Sequence, residues 1–394
     1  MRIQLPKAVD EDLAADLEKQ SVYVSPSVRG VRVSAARDAV EVDIIDSKDA
    51  EAQAKVQRYI DTMVSRFRKL PKKIFASNVR KDRGEYGHDV YGELKKRRWV
   101  LELGHGQVGL AGPALACMRA LDAACVKLGV ERFGAVHENY PALMPSEVLA
   151  RCNYFKYFPH TVSMVVHLIE DYDKIDEFRR VNDHGTHLDV PDWSAFETPK
   201  VCLNPAVCYH CYQAMEREKL TQEGRCVTAV GRCFRYESKN IVGLDRAWDF
   251  TMREVIFVGT ESWVADRRQK SMEAQLEQVQ AWDLDCQFET ANDPFFSAAY
   301  ATKTYWQVRN DLKYEMRLNV EPGPDGAART IACASANLHE NFFGKTFDIT
   351  ASDGNPVFTG CAAWGLERLV LACFTQHGFD KARWPESLRA DVWS

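Results

Sequence analysis

The chain has 394 residues, enough for two domains or one large domain with an appendage. Its composition, 46% hydrophobic and 27% charged, is ordinary for a globular protein, and a formal charge of −5 excludes a global basic field for nucleic acid. The basic runs Lys95, Lys96, Arg97, Arg98 and Lys69, Lys72, Lys73 read as solvated faces.

The N-terminal stretch MRIQLPKAVDEDLAADL is rich in acids and lacks an apolar core, so no secretory signal is expected. No apolar run approaches the roughly 18 residues of a spanning helix, so no membrane partner is expected. Twelve cysteines without a secretory address read as reduced thiols, some of them as metal ligands, and imply a cytoplasmic protein. Residues 10–20 are helical by pattern, VRGVRVSAARDAVEVDIID (28–46) alternates like a hairpin turning near Arg37, and 50–70 is an amphipathic helix. These make a small N-terminal α/β domain over 1–80, ending in the polar stretch KKIFASNVRKDRGEYGHD. The second domain, 81–394, opens with WVLELGHGQVGLAG and a long helix. The strand FGAVHENYPAL follows, with short helices near 145–152 and 172–182. Strands then alternate with a helix over 264–282, and a last apolar helix ends at Gly378.

Three patterns invite chemistry without settling it. GHGQVG (104–109) matches G-x-G-x-x-G between a strand and a helix, the context of a dinucleotide fingerprint. The chain downstream is no βαβ series, so a glycine-lined entry to a helix reads better. CYHC (208–211) lacks the second close cysteine pair that a zinc ribbon needs, because Cys226 and Cys233 stand too far apart. His184 and His187, with Gly185 between them, read as loop histidines.

A stronger constellation is F-R-x-E at 234–237 followed by R-x-x-x-F-x-x-x-E at 246–254. GRCFRYES reads as a buried strand carrying Arg235 and Glu237. Two antiparallel strands joined by a loop would then bring Arg235, Glu237, Phe250 and Glu254 to one pocket. An arginine fork grips a phosphate or carboxylate, a glutamate accepts from an exocyclic amine, and a phenylalanine offers a face to a purine. An internal Arg235–Glu237 ion pair is the plain alternative. TGCAAWGLERLVLA (359–372) leads small residues into a helix presenting Arg368, which can cover the other face of an adenine or clamp a γ-phosphate.

These stretches resemble the core of the class II aminoacyl-tRNA synthetases. The F-R-x-E stretch resembles their motif 2 and GCAAWGLER their motif 3. The helix 113–130 with ERFGAVHENYPAL and Pro141 resembles motif 1, the dimer interface of that superfamily. The resemblance implies an α/β (α+β) fold, an antiparallel sheet flanked by helices, and a homodimer. NYFKYFPH, LNPAVCYHCY, TANDPFF, LKYE and ASANLHENFFGKTF resemble more narrowly the amino acid:[carrier protein] ligases, relatives of the methanogen-type seryl-tRNA synthetases, over residues 80 to the end.

That family resemblance implies a zinc ion held by Cys208, Glu254 and Cys361, with Cys211 as the rival of Cys208. Two thiolates and a carboxylate with an open place suit a working site. It further implies ATP with Mg2+, Arg235 bridging the amino-acid carboxylate and the α-phosphate, and Glu237, Phe250 and Arg368 around the adenine. Asn337 would form the floor of the substrate pocket. The implied reaction activates a small amino acid as an aminoacyl-adenylate and passes it to an acceptor. That acceptor is the phosphopantetheine arm of a carrier protein in the ligases and the end of tRNA in the synthetases. Residues 1–77 are extra relative to the short ligases, and their mixed charge favours the carrier protein over tRNA.

Overall fold

The structure, a computed structural model, describes residues 1–67, 72–81, 86–190, 192–293, 295, 306–320 and 329–393. Of TANDPFF, Pro294 and Phe296 lie outside these, as do Lys69 and residues 82–85 of the boundary stretch.

The N-terminal unit is a three-stranded sheet and two helices. Strands β1 (Arg2–Gln4), β2 (Val28–Val33) and β3 (Ala39–Ile44) pair antiparallel in the order β1-β3-β2. Arg37 takes φ 58° in the β2–β3 turn, where Ser34 and Asp38 side chains close the loop at 2.8 Å. Helix Glu11–Ser21 is capped by Asp10, whose carboxylate accepts from the Asp12 amide, and helix Ala50–Arg66 by Asp49. Leu17, Val28, Val40, Val56 and Ile60 fill the space between helices and sheet. The second helix ends at Arg66, short of the predicted 70, because Phe67 leaves the helical region.

The rest is built on eight strands. Beyond the small strands β5 (Val100–Gly104), β6 (Gln107–Leu110), β8 (Leu143–Pro145), β9 (Met164–Val165) and β10 (Val201–Leu203), they are β4 (Ile74–Asn78), β7 (Val136–Asn139), β11 (Gly224–Phe234), β12 (Asp249–Gly259), β13 (Cys286–Thr290), β14 (Lys313–Val320), β15 (Arg329–Glu340) and β16 (Phe358–Gly365). Their order is β4-β13-β14-β15-β16-β12-β11-β7, antiparallel except for the β11–β7 edge. β4 hydrogen-bonds to β13, so the large sheet begins before the expected boundary at residue 80.

Alternation sorts the strand residues onto two faces. Val255, Phe257, Ala362 and Trp364 face the helices Gly112–Phe133, Glu261–Ala281 and Leu366–His377, and form the main core. Ile256, Val258 and Cys361 face the other way, into a second cluster with Cys208, Tyr212 and Phe343. Among the described residues no helix is long and apolar enough to cross a membrane.

The GHGQVG stretch is the β5–β6 hairpin and not a phosphate loop. Gly106, at φ 67°, packs so closely on Trp248 that an added Cβ would lie 2.7 Å from its backbone nitrogen. The reading of GRCFRYES as continuous strand is corrected as well: β11 stops at Phe234, and Arg235 and Glu237 stand in the β11–β12 loop.

Candidate active site

β12 pairs with β16 so that Glu254 lies opposite Ala363 and Ile256 opposite Cys361, while β15 sets Asn337 opposite Cys361. Glu254, Cys361 and Asn337 therefore share the face turned away from the long helices. Cys208 arrives from outside the sheet, as the first residue of the helix Cys208–Ala214. The amide of Val207, just before it, donates to Glu254 Oε1 at 3.1 Å. The ligand atoms of Cys208, Glu254 and Cys361 lie within 4.8 Å of one another, and all three side chains are buried.

This cluster carries more acid than its surroundings can ionise. Burial pushes the Glu254 carboxyl well above its ordinary range, and the sulfur of Cys361 adds to the shift. Cys208 is held protonated by its hydrogen bond to Cys361 and by burial, whereas that same bond, with His339 and Asn337, draws Cys361 below the usual thiol range. Glu254 Oε2 is buried with no hydrogen-bond partner. An orphaned oxygen beside two thiols at metal-ligand spacing fits a divalent cation, and the sulfur-rich donor set fits zinc rather than magnesium. Cys211 is not part of the set; its buried thiol faces Tyr140.

One neighbour of the cluster, His339, carried no role in the sequence reading. The β15–β16 register slips between Leu338 and Glu340, and Glu340 takes φ 52°. His339 follows Asn337 by two residues, so the pleat sets it on the same face, where it interacts with Cys361. Its Nδ1 lies 3.3 Å from both the Tyr212 and the Thr359 hydroxyls. Asn337 Nδ2 reaches the Cys361 sulfur at 3.4 Å.

A cationic cleft lies beside this cluster. Arg235 lays its guanidinium 5.5 Å from the centre of the Phe250 ring and donates from Nε to Pro205 O at 3.0 Å. Glu237 pairs with Arg246, so the internal Arg235–Glu237 ion pair gives way to one inside the loop. Arg368 is held by the carbonyls of Asp245 and Ala332, at 2.5 and 2.9 Å. Arg329 pairs with Asp245 at 2.7 Å. Lys313 is ringed by Asp293 at 2.6 Å and Glu315 at 3.0 Å. The motif-3 glutamate Glu367 is spent on structure: its carboxylate accepts from the Thr251 amide at 2.9 and 2.8 Å and so ties β12 to the last long helix.

The exposed His184 and His187 both turn Nε2 toward Asp189, at 3.0 and 3.3 Å, in the loop after the helix Tyr172–Val181. Cys226 and Cys233 sit in separate packing clusters.

Residues 195–377 match the family model of the tRNA synthetase class II core domain (G, H, P, S and T). An amino acid–[acyl-carrier-protein] ligase 1 of Bradyrhizobium diazoefficiens is 33% identical over 258 residues, covering 64% of this chain and 74% of that protein. A type-2 serine–tRNA ligase of Methanocaldococcus jannaschii is 25% identical over 397 residues, covering 97% of this chain and 76% of that protein. Among solved structures, the M. kandleri SerRS in complex with A. aeolicus tRNASec superposes with a TM-score of 0.71 at 21% identity, over 99% of this chain and 76% of that one.

Proposed function

The chain belongs to the class II synthetase-like family of the amino acid–[acyl-carrier-protein] ligases, and from that premise we propose that it activates a small amino acid with ATP and passes the acyl group to the phosphopantetheine thiol of a carrier protein. The observation that carries the reading is the buried Cys208–Glu254–Cys361 cluster set beside the Arg235 cleft. When bound by those three residues, zinc supplies an open position that takes a free amine and rejects a blocked one. Asn337, on the strand beside Cys361, borders the space for a short side chain.

Arg235 then places the amino-acid carboxylate against the α-phosphate and stabilises the charge that develops there. A carboxylate oxygen bonds to the α-phosphorus and pyrophosphate leaves. Phe250 and Arg368 would flank the adenine and Glu237 its exocyclic edge, with Mg2+ accompanying the triphosphate. In the second step the acceptor thiol loses its proton, its sulfur bonds to the acyl carbon, and AMP leaves.

A tRNA acceptor is the second reading, favoured by the match to a type-2 serine–tRNA ligase over 97% of the chain. All twelve cysteines are unpaired, which suits a reducing cytoplasm, and the motif-1 helix Gly112–Phe133 supports a homodimer. The test is ATP–pyrophosphate exchange on zinc-replete protein across small amino acids, with Cys361→Ala as control. Exchange that needs one amino acid and is lost in the variant is expected. No exchange with any would overturn the adenylation reading, and transfer to holo-carrier protein against tRNA would then decide the acceptor.

A further inference from the structure

The N-terminal unit leans on the loop that closes the cationic cleft. Its helix Glu11–Ser21 is fixed at both ends. At the first, Lys72 Nζ bridges Asp12 Oδ1 at 2.7 Å and Glu289 Oε1, on β13, at 3.5 Å. At the second, Asn240 Nδ2 of the β11–β12 loop donates to the Lys19 carbonyl at 3.0 Å. Lys239 Nζ donates to Pro26 O at 3.3 Å, and the Tyr23 ring stands edge-on to His160 at 4.9 Å. The C-terminal turn of this helix is thereby held against the β11–β12 loop that carries Glu237 and Arg246.

The side chain there is Lys19. Its side chain is exposed, and desolvation by the surrounding protein and then the nearby Arg246 depress its ammonium below the ordinary lysine range. Arg317 is a further cation close by, and Glu315 and Asp16 are the anions. The cleft's anions are otherwise engaged: Glu237 by Arg246, Asp245 by Arg329, and Glu315 by Lys313. Lys19 itself makes no ion pair among the described residues. An open lysine among arginines, with Glu237, Asp245 and Glu315 already paired and Asp16 on its own helix as the remaining anion, is a seat for an external polyanion.

We propose that Lys19, supplied by the N-terminal unit, binds the terminal phosphates of ATP and the pyrophosphate they become. The proposal rests on the nucleotide reading above and assigns the N-terminal unit a part in substrate binding. It predicts a contact that ATP and pyrophosphate make and AMP does not.

The test is calorimetric titration of the full zinc-replete chain with MgATP, magnesium pyrophosphate and AMP, for wild type, Lys19→Met and Lys19→Arg. Lys19→Met should weaken ATP and pyrophosphate about tenfold, the loss expected for one charged hydrogen bond. AMP should bind as in wild type, which also certifies the fold, and Lys19→Arg should recover most of the loss. Unchanged ATP affinity in Lys19→Met, or equal weakening of ATP and AMP, would overturn the proposal. Wild type that binds none of the three would instead overturn the nucleotide reading beneath it.

Discussion

Glu254→Gln should change stability in opposite directions with and without metal. In metal-free protein the wild-type side chain leaves Oε2 buried and unpaired, a cost of about 1–3 kcal/mol. The amide keeps Oε1 as acceptor for the Val207 amide, now at 3.1 Å, and turns the orphan position into a donor facing the Cys361 sulfur. Metal-free Glu254→Gln should therefore be more stable than wild type by about 1–2 kcal/mol. With zinc the balance reverses. Free zinc a thousandfold above its dissociation constant stabilises wild type by about 4 kcal/mol, and a hundredfold loss of affinity on replacing a carboxylate ligand removes about 2.7 kcal/mol of that. Set against the metal-free gain, the variant should be less stable than wild type by about 1 kcal/mol. Urea unfolding of chelator-stripped and zinc-replete proteins, with metal content measured on each, reads both differences. The same sign in both states, or equal zinc stabilisation of both proteins, would refute the assignment of Glu254 as a ligand.

Arg235→Lys should lower the rate of ATP–pyrophosphate exchange by about 10²–10³, the usual loss of a transition-state charge donor. A lysine reproduces neither the planar contact with Phe250 nor a two-pronged grip on phosphate and carboxylate; exchange kinetics of the folded variant test this. Acid stability should depend on Lys313. Burial alone would raise Asp293 and Glu315, but the Lys313 ammonium outweighs it and holds both below their ordinary values of 3.8 and 4.5. Their contribution is thus complete above those values and lost as pH falls through the lower folded ones. In Lys313→Met the chief counterweight to burial is gone, leaving only Gln307 and Arg235 at Asp293 and Arg317 at Glu315, so the variant should lose stability at neutral pH and regain part of it on mild acidification. Tryptophan fluorescence during urea unfolding at several pH values would show the two opposite slopes.

What the sequence made legible is what local spacing encodes. The antiparallel pair β11–β12, the glycine-terminated helix Leu366–His377 and the hairpin turn at Arg37 each follow from residues adjacent in the chain. Cys208, Glu254 and Cys361 stand far apart in sequence, and only the resemblance joined them before the register of β12 on β16 did so in space. The pairing of Glu237 with Arg246 was not legible, because both ends lie in a loop whose closure obeys no periodicity. His339 was hidden for another reason: alternation sets it on the face of Asn337, but nothing in the local pattern of LHEN says what that face will meet. The docking of Lys19 follows from contacts between two units with distinct cores, and no pattern within either one announces it.

β12 shows how one strand can serve stability and chemistry without conflict. Arg253 and Glu254 are consecutive, so the pleat sends them to opposite faces. On the helix side Arg253, 1% exposed, is gripped by both oxygens of Asp122 at 2.7 and 2.9 Å, which fixes the strand against the long motif-1 helix. On the other side Glu254 keeps an unsatisfied oxygen that a folded core would not ordinarily tolerate. The satisfied charge explains why the unsatisfied one can persist: the backbone that would have to move to relieve Glu254 is held from behind by a buried two-pronged ion pair. A ligand geometry suited to a cation is thereby maintained before any cation arrives, as a preorganised site requires.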